Sequence, residues 1–191
     1  MITSVTLHDG ICDFLEANLA PKFKLPAKIK NSKENKENKE NKENKEKAKG
    51  TQLRQPIVHR SGFLLPKSIS NKEEDEVAFI LPWLHKVENI RGNRESVATV
   101  EILFGVFAGV EYDDEGDKIN DGGGYRDLWN LIEATRQLFF TTQTIDNRFQ
   151  IIEDFFEAEM LPEQIYPYWE GYCRTRWHIG YPLPILGENF F

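Results

Sequence analysis

The chain contains little cysteine and no long hydrophobic run. Only Cys12 and Cys173 occur among its 191 residues, and two cysteines cannot build a multi-disulfide framework. No apolar run approaches the roughly 18 residues that a membrane-spanning helix needs, so we expect no transmembrane segment. The first ten residues show no basic cluster followed by an apolar stretch, so we expect no secretory signal.

The spacings that mark catalytic and metal sites are also missing. The four histidines lie far apart in the sequence, and neither an HExxH nor a CxxC motif occurs. There is no Gly-x-Ser-x-Gly elbow, and the glycines at 122–124 are not followed by the Lys-Ser/Thr pair of a phosphate-binding loop. We therefore expect neither an enzyme, nor a cofactor, nor a metal centre.

Charge is unevenly distributed along the chain. Residues 1–50 hold 11 Lys and Arg against 8 Asp and Glu, whereas residues 51–191 hold 13 against 23. A protein that grips the nucleic-acid backbone needs clustered cations, which this acidic body lacks. The charge would instead suit a surface that must not adhere to DNA.

A low-complexity segment interrupts the N-terminal part of the chain. Residues 33–46 contain four Lys-Glu-Asn triplets and a final Lys-Glu, and no apolar residue occurs from Asn31 to Lys47. Such a segment cannot pack on a core, so we predict a disordered insertion over residues 22–53. A flexible surface loop tolerates this lengthening at little entropic cost. A binding tail is the alternative, but its alternating charges cancel.

Apolar residues at helical spacing predict two helices. The first covers residues 7–19, with Thr6 as its cap and Pro21 at its end. The second covers residues 128–139, with Asp127 in its first turn, where the helix dipole favours a negative charge.

Five segments have the character of strands, and the clearest is 96–109. Its alternate residues from Ala98 to Ala108 are all apolar, which is typical of a central antiparallel strand beneath a helix. Pro82 restricts its own strand to an edge or a bulge. The five segments are residues 57–65, 77–87, 96–109, 149–160 and 168–177.

The order of these elements is helix, three strands, helix, two strands. Consecutive strands favour hairpins, so we predict an α+β domain with a mostly antiparallel sheet of four to five strands and two helices packed on it. The domain would comprise an N-terminal helix (1–21), the insertion (22–53), the main body (54–179) and a C-terminal arm (180–191).

An acidic loop precedes the second helix. Three carboxylates alternate there like the first ligands of a calcium loop, but Lys118 and Gly124 stand where that loop needs glycine and a carboxylate. Three interpretations of this loop remain: a solvated loop, a channel wall that repels phosphates, and the site of a metal-dependent hydrolase. The acidic residues are Asp113, Asp114, Glu115, Asp117 and Asp121.

A second group of carboxylates lies at residues 153–159. Alternation predicts that Glu153, Glu157 and Glu159 share one strand face and that Asp154 lies on the other. Without a partnering histidine we interpret them as an exposed strand face rather than an acid–base pair.

An aromatic string next to two arginines marks the last strand. Trp169 and Trp177 would face the core, and the tyrosines and arginines would lie on the opposite face. Tyrosine and arginine are enriched in interface hot spots. We therefore predict a subunit or partner interface that comprises Tyr166, Tyr168, Tyr172, Arg174 and Arg176.

An ordered set of motifs runs through residues 96–178. It begins with the strand Ser96-Val97-Ala98-Thr99-Val100-Glu101-Ile102-Leu103-Phe104-Gly105-Val106 and continues with Gly124-Tyr125-Arg126-Asp127, which opens a helix through Leu131-Ile132-Glu133. It ends with Pro162-Glu163-Gln164, Tyr166-Pro167-Tyr168-Trp169-Glu170-Gly171-Tyr172 and Thr175-Arg176-Trp177. Taken together, these motifs resemble the tail terminators of long-tailed phages and prophages of Gram-positive bacteria. The Lys-Glu-Asn insertion departs from the pattern.

The resemblance implies a small α+β subunit with a tail-terminator-like fold. Such subunits form a ring, usually a hexamer, that caps the tail tube at the head-proximal end of the virion after assembly in the host cytoplasm. The implied partners are copies of the chain, the tail tube protein and a neck or head-completion protein, with DNA passing through unbound and no membrane involved. Another head–tail joining protein, a cytoplasmic adaptor and the metal-dependent hydrolase remain as alternatives.

Overall fold

The structure is a computed structural model that describes most of the chain. The described residues are 4–27, 52–62, 77–90, 95–108, 111–112, 118–119, 122–164 and 168–180. The elements are α1 (Ser4–Asn18), a 3-10 turn (Ala20–Lys22), β1 (Leu25–Ala27), β2 (Gln52–Arg54), β3 (Ile57–Val58), β4 (Phe79–Ile90), β5 (Glu95–Phe107), β6 (Glu111–Tyr112), β7 (Lys118–Ile119), α2 (Gly123–Thr142), β8 (Thr144–Ile145), β9 (Phe149–Met160) and β10 (Tyr168–His178).

The main sheet has six strands in the order β3-β4-β5-β10-β9-β8. All of its neighbouring strands are antiparallel except β3 and β4, which are parallel. The predicted α+β class is confirmed, but the prediction of a sheet of four to five strands is wrong. The five predicted segments correspond to β3, β4, β5, β9 and β10, although β3 has only two residues where a strand over 57–65 was predicted. The sixth strand, β8, was not predicted, because its two residues are too few to show a periodicity.

The predicted central strand is confirmed as β5. It pairs with β4 on one side and with β10 on the other. Its alternate residues Ala98, Val100, Ile102, Phe104 and Val106 are completely buried. They pack under both helices and therefore form the middle of the hydrophobic core.

Both helices form where the apolar spacing predicts them, but each begins earlier than predicted. The helix α1 already includes Ser4, so Thr6 lies inside it and is not its cap. The helix α2 begins at Gly123, so Asp127 lies beyond its first turn. Gly122 precedes it with a φ of 74°, a left-handed conformation that glycine adopts without strain.

Aromatic contacts join the two helices to the sheet. Phe139 of α2 packs edge-on against Trp177 of β10 at 5.2 Å and stacks with Phe14 of α1 at 6.0 Å. The Trp177 side chain is completely buried, and its indole N–H donates to the Thr175 hydroxyl. The prediction that Trp177 belongs to the core is therefore confirmed.

The ends of the predicted insertion belong to the folded domain. Leu25–Ala27 and Gln52–Arg54 pair as an antiparallel two-stranded sheet, and Leu25 packs into the main core. The predicted limits of a disordered segment, residues 22 and 53, are therefore wrong, because both lie within structured chain. The Lys-Glu-Asn repeat lies outside the described residues, as does most of the predicted C-terminal arm.

Pro82 lies near the edge of the sheet, as predicted. The strand β3 pairs only with Phe79 and Ile80, and the carbonyl of Pro82 accepts a hydrogen bond from the His8 side chain of α1 instead. The predicted bulge also exists, slightly further along, between Leu84 and Lys86.

Neither helix of the described chain is long and apolar enough to cross a bilayer.

Truncation in the middle of the core tests this architecture. Ile102→Ala removes a completely buried side chain, and we expect the free energy of unfolding to fall by about 2–5 kcal/mol in urea titrations. Leu53→Ala is the matched control, because that aliphatic side chain is 62% exposed and its loss should change stability by less than about 0.5 kcal/mol. Equal effects of the two substitutions would contradict the assignment of the core.

Candidate protein interface

The side of the main sheet that faces away from both helices carries the predicted interface residues. We call this side the open face. The register aligns its side chains in rows across the strands, so that Trp83, Glu101, Arg174 and Glu157 form one row from β4 to β9. The open face thus combines aromatic rings with charges of both signs.

Arg174 is the centre of the open face. Its guanidinium binds Glu101 through Nη2 at 2.8 Å and Nε at 3.1 Å, and it binds Glu157 through Nη1 at 3.1 Å. The hydrogen bonds to Glu101 raise the pKa of Arg174 above its ordinary value. The Glu101 side chain is only 11% exposed, so this arginine neutralises a carboxylate that the sheet largely removes from water.

Arg176 makes a second set of contacts on the next row. Its guanidinium lies 4.7 Å from the centre of the Phe155 ring, a cation–π geometry, and reaches the Glu88 carboxylate at 3.3 Å. Glu88 also pairs with Lys86 at 2.7 Å, and these cations lower its pKa. The Nε of Arg176 is buried and has no hydrogen-bond partner within the described part of the chain.

The tyrosines of β10 are half-buried on the open face. The Tyr172 hydroxyl donates to Glu159 at 2.8 Å, and this bond raises the pKa of the phenol. The Arg174 guanidinium lies 5.6 Å from the centre of the Tyr172 ring. Tyr168 packs edge-on against Phe107 at 5.7 Å.

The structure brings together four of the five predicted interface residues. Tyr168, Tyr172, Arg174 and Arg176 lie on the open face, as strand alternation predicts, while Tyr166 lies outside the described residues. Their role in an interface stays a prediction. Because both arginines pair within the subunit, they offer a partner hydrogen-bonding groups rather than free charge.

The predicted interface does not include the acidic partners on the open face. These partners are Glu101 and Glu88, which bind the two arginines. A usable signal existed, since Glu101 is the one charged residue within the apolar run of the central strand from Ser96 to Phe107. A charge at such a position requires an opposite charge on a neighbouring strand.

The carboxylates of β9 do not share one face as predicted. Glu157 and Glu159 lie on the open face, but Glu153 accepts a hydrogen bond from Gln143 beside β8. The pairing of β9 with β10 is irregular at this point: Thr175 is opposite Phe156, whereas Trp177 is opposite Ile151. The extra residues of β9 interrupt the simple alternation on which the prediction depended.

A second aromatic cluster lies at the start of α2. The Tyr125 ring packs edge-on against Trp129 at 6.5 Å and Trp169 at 6.1 Å. Trp169 was predicted as a core residue, and it packs against the core but remains half-buried. Gly124 is required here, because a Cβ at this position would lie 2.3 Å from the Trp169 ring. The cluster thus fixes the first turn of α2 on the sheet.

The acidic loop is flanked by structure but is not itself described. Strands β6 and β7 pair antiparallel on either side of residues 113–117, and Asp121 follows β7. All five acidic residues predicted for the channel wall or a metal site, within 113–121, lie outside the described residues. Within the described ranges, no three His, Cys, Asp or Glu side chains come close enough together to hold a metal ion.

Both cysteines are buried free thiols. Burial raises the pKa of Cys12 to about 11, and it raises the pKa of Cys173 as well. The Cys12 sulfur lies 3.8 Å from His8 Nε2, which is also the ring nitrogen that contacts the Pro82 carbonyl. A thiol with a raised pKa is a poor nucleophile, so this Cys–His contact is structural.

Comparison with known proteins supplies no identity for the chain. No protein-family model matches the sequence, and no curated protein sequence matches it.

The ion pair at Arg174 should contribute to folding. We expect Arg174→Met to lower the free energy of unfolding by about 1.5 kcal/mol or more, because it leaves the shielded Glu101 carboxylate without its charged partner. Arg136→Met is the matched control, since Arg136 pairs with Glu133 where both side chains are over 40% exposed, and its loss should be clearly smaller. Equal losses in urea titration would contradict this assignment.

Neither thiol should react in the folded protein. We expect Ellman's reagent at pH 8 to titrate almost no thiol in the native state, because both are buried and protonated. After unfolding in guanidinium chloride, both should react. Rapid labelling of the native chain would overturn the structural role of Cys12 and revive a nucleophilic one.

Proposed function

We propose that this chain is a structural protein of a phage tail, a terminator-like subunit that caps the tail tube as a ring and joins the tail to the head or neck. The observation that carries the proposal is the open face. Both helices pack on one side of a six-stranded sheet, and the other side carries the partly exposed rings and guanidinium groups of β10. A sheet face rich in half-buried rings is suited to association with another protein.

The chemistry of the open face supports association rather than catalysis. Arg174 and Tyr172 are held in place by Glu101, Glu157 and Glu159, so this part of the surface is ordered before any partner arrives. Tyr and Arg side chains in such settings are frequent hot spots. A preordered surface loses little conformational entropy on binding.

The motif resemblance supports the more specific role. The motifs lie in β5, at the start of α2 and in β10, which are neighbouring parts of one sheet-and-helix unit. In the proposed mechanism, a hexameric ring of subunits matches the last ring of the tail tube on one side and presents a different surface on the other. No further tube subunit can then add.

The charge distribution is compatible with this role. Residues 51–191 carry 23 acidic against 13 basic residues. An acidic ring would allow DNA to pass through its channel without adhering. The proposed location is the head-proximal end of the virion tail, with a tail tube protein and a neck or head-completion protein as partners.

The proposal is tested by removing the rings from the open face. We expect the double substitution Tyr168→Ala/Tyr172→Ala to weaken binding to purified tail tubes about 30-fold, which corresponds to one hot spot of about 2 kcal/mol. Binding is measured by co-sedimentation with tubes, and the mass of the assembly by native mass spectrometry. The control is Tyr125→Ala, which removes a 46% exposed tyrosine from α2.

The control variant should bind as the unchanged protein does, and circular dichroism should show that both variants are folded. If the unchanged chain, the double variant and the control all bound tubes equally, the open face would not be the surface that binds the tube. A chain that is monomeric at high concentration and also fails to bind tubes would overturn the tail function itself.

A further inference from the structure

The two edges of the main sheet are covered only in part. The two-residue strand β3 pairs with Phe79 and Ile80 of β4, and the two-residue strand β8 pairs with Phe149 and Gln150 of β9. Beyond these contacts, no described strand pairs with the outer side of β4 over residues 83–90 or of β9 over residues 152–160. Among the described residues, the outer backbone groups of these two stretches therefore have no strand partner.

The hydrogen-bond pattern of β9 shows which of its groups point outward. The N–H of Leu161 donates to the Glu170 carbonyl of β10, so this residue points inward. In an antiparallel pair the direction alternates along the strand. The backbone groups of Phe156, Ala158 and Met160 therefore point away from the sheet.

The hydrogen bonds between β3 and β4 show which groups of β4 point outward. The carbonyls of Ala78 and Ile80 accept hydrogen bonds from the backbone of the β3 segment and therefore point outward. Alternation continues to Leu84, and the extra residue of the bulge before Lys86 shifts the pattern by one. The outward groups beyond the bulge belong to Val87 and Asn89.

The regular parts of the two edges fit one another in length and direction. Beyond the bulge of β4 and the irregular residues of β9, they are residues 86–90 and 156–160. Strand β4 runs antiparallel to β5, whereas β9 runs parallel to it, since both β9 and β5 are antiparallel to β10. If β9 of one copy lay beside β4 of the next, the sheet would therefore continue as an antiparallel ladder.

Charge selects this pairing over the pairing of two β9 edges. The strand β9 contains four exposed carboxylates and no basic residue, so two β9 edges would bring like charges together. The free part of β4 is balanced, because Lys86 offsets Glu88. The carboxylates are Glu153, Asp154, Glu157 and Glu159.

We infer that copies of this chain join head to tail, with the β9 edge (152–160) of one subunit adding as a strand to the β4 edge (83–90) of the next. The inference rests on the proposed ring and specifies its subunit contact. A contact between two different surfaces closes into a ring when the rotation between copies allows it. The open face then remains available for the tail tube or the neck ring.

Proline substitutions at outward positions test this contact. Val87→Pro and Ala158→Pro each remove an outward N–H, which should block one edge without removing a hydrogen bond within the subunit. The matched controls Val87→Thr and Ala158→Ser retain the N–H. In native mass spectrometry, we expect each proline variant alone to be a monomer and each control to assemble like the unchanged chain.

A mixture of the two proline variants separates head-to-tail from symmetric contacts. Val87→Pro leaves the β9 edge intact, and Ala158→Pro leaves the β4 edge intact. An equimolar mixture of the two variants should therefore form a dimer and nothing larger. If the contact were symmetric, one variant would still dimerise alone, and the inference would be overturned. Assembly of both variants at the unchanged mass would also overturn it.

A competing peptide provides a measurement that does not depend on the folding of a variant. A synthetic peptide with the sequence of residues 83–90, in excess, should lower the mass of the assembly of the unchanged chain, whereas a scrambled peptide should not. A monomeric unchanged chain, or an assembly that the peptide leaves intact, would overturn the edge contact. The tail function is tested separately by tail-tube binding, because binding to tubes does not require the contact between the β9 and β4 edges.

Discussion

The difference between the two sides of the main sheet is the constraint on which the rest of this structure depends. Two helices supply enough apolar surface to bury one side of β5, where every inward residue from Ala98 to Val106 is removed from water. The alternate residues of the same strand lie on the other side of the sheet, where Glu101 pairs with Arg174 of β10. The protein fills this side with an ordered set of rings and ion pairs.

The ion pair between Arg174 and Glu101 has a role beyond its net energy. A partly buried pair adds little stability over an apolar pair, because desolvation offsets much of the attraction. It does distinguish one register from another. A slip of β10 by one residue would move Arg174 to the helix side and leave Glu101 without its partner. The pair therefore favours the alignment that also places Trp177 against Phe139.

Sequence patterns predicted the long elements and failed where structure depends on distant contacts. The apolar alternation of β5, the helical spacing of α2 and the two faces of β10 could all be predicted, because each repeats over at least ten residues. The strands β1, β2 and β8 are too short to repeat, and β3 occupies only two residues of the strand predicted over 57–65. For the candidate site, alternation placed Arg174 and Arg176 on one face, but their partners Glu101 and Glu88 come from other strands. Only the sheet register brings those partners close.

The edges and the open face of the main sheet suit different kinds of protein contact. A sheet edge offers regular backbone groups, so it pairs with another strand and imposes a direction on the contact. The open face offers side chains in a fixed arrangement, so it selects a partner by shape and chemistry. Pro82 and the bulge before Lys86 shorten the edge that β4 presents, and the carboxylates of β9 disfavour the pairing of two β9 edges. In the proposed assembly, the edges therefore join copies of the chain, and the open face is the surface that recognises a different protein.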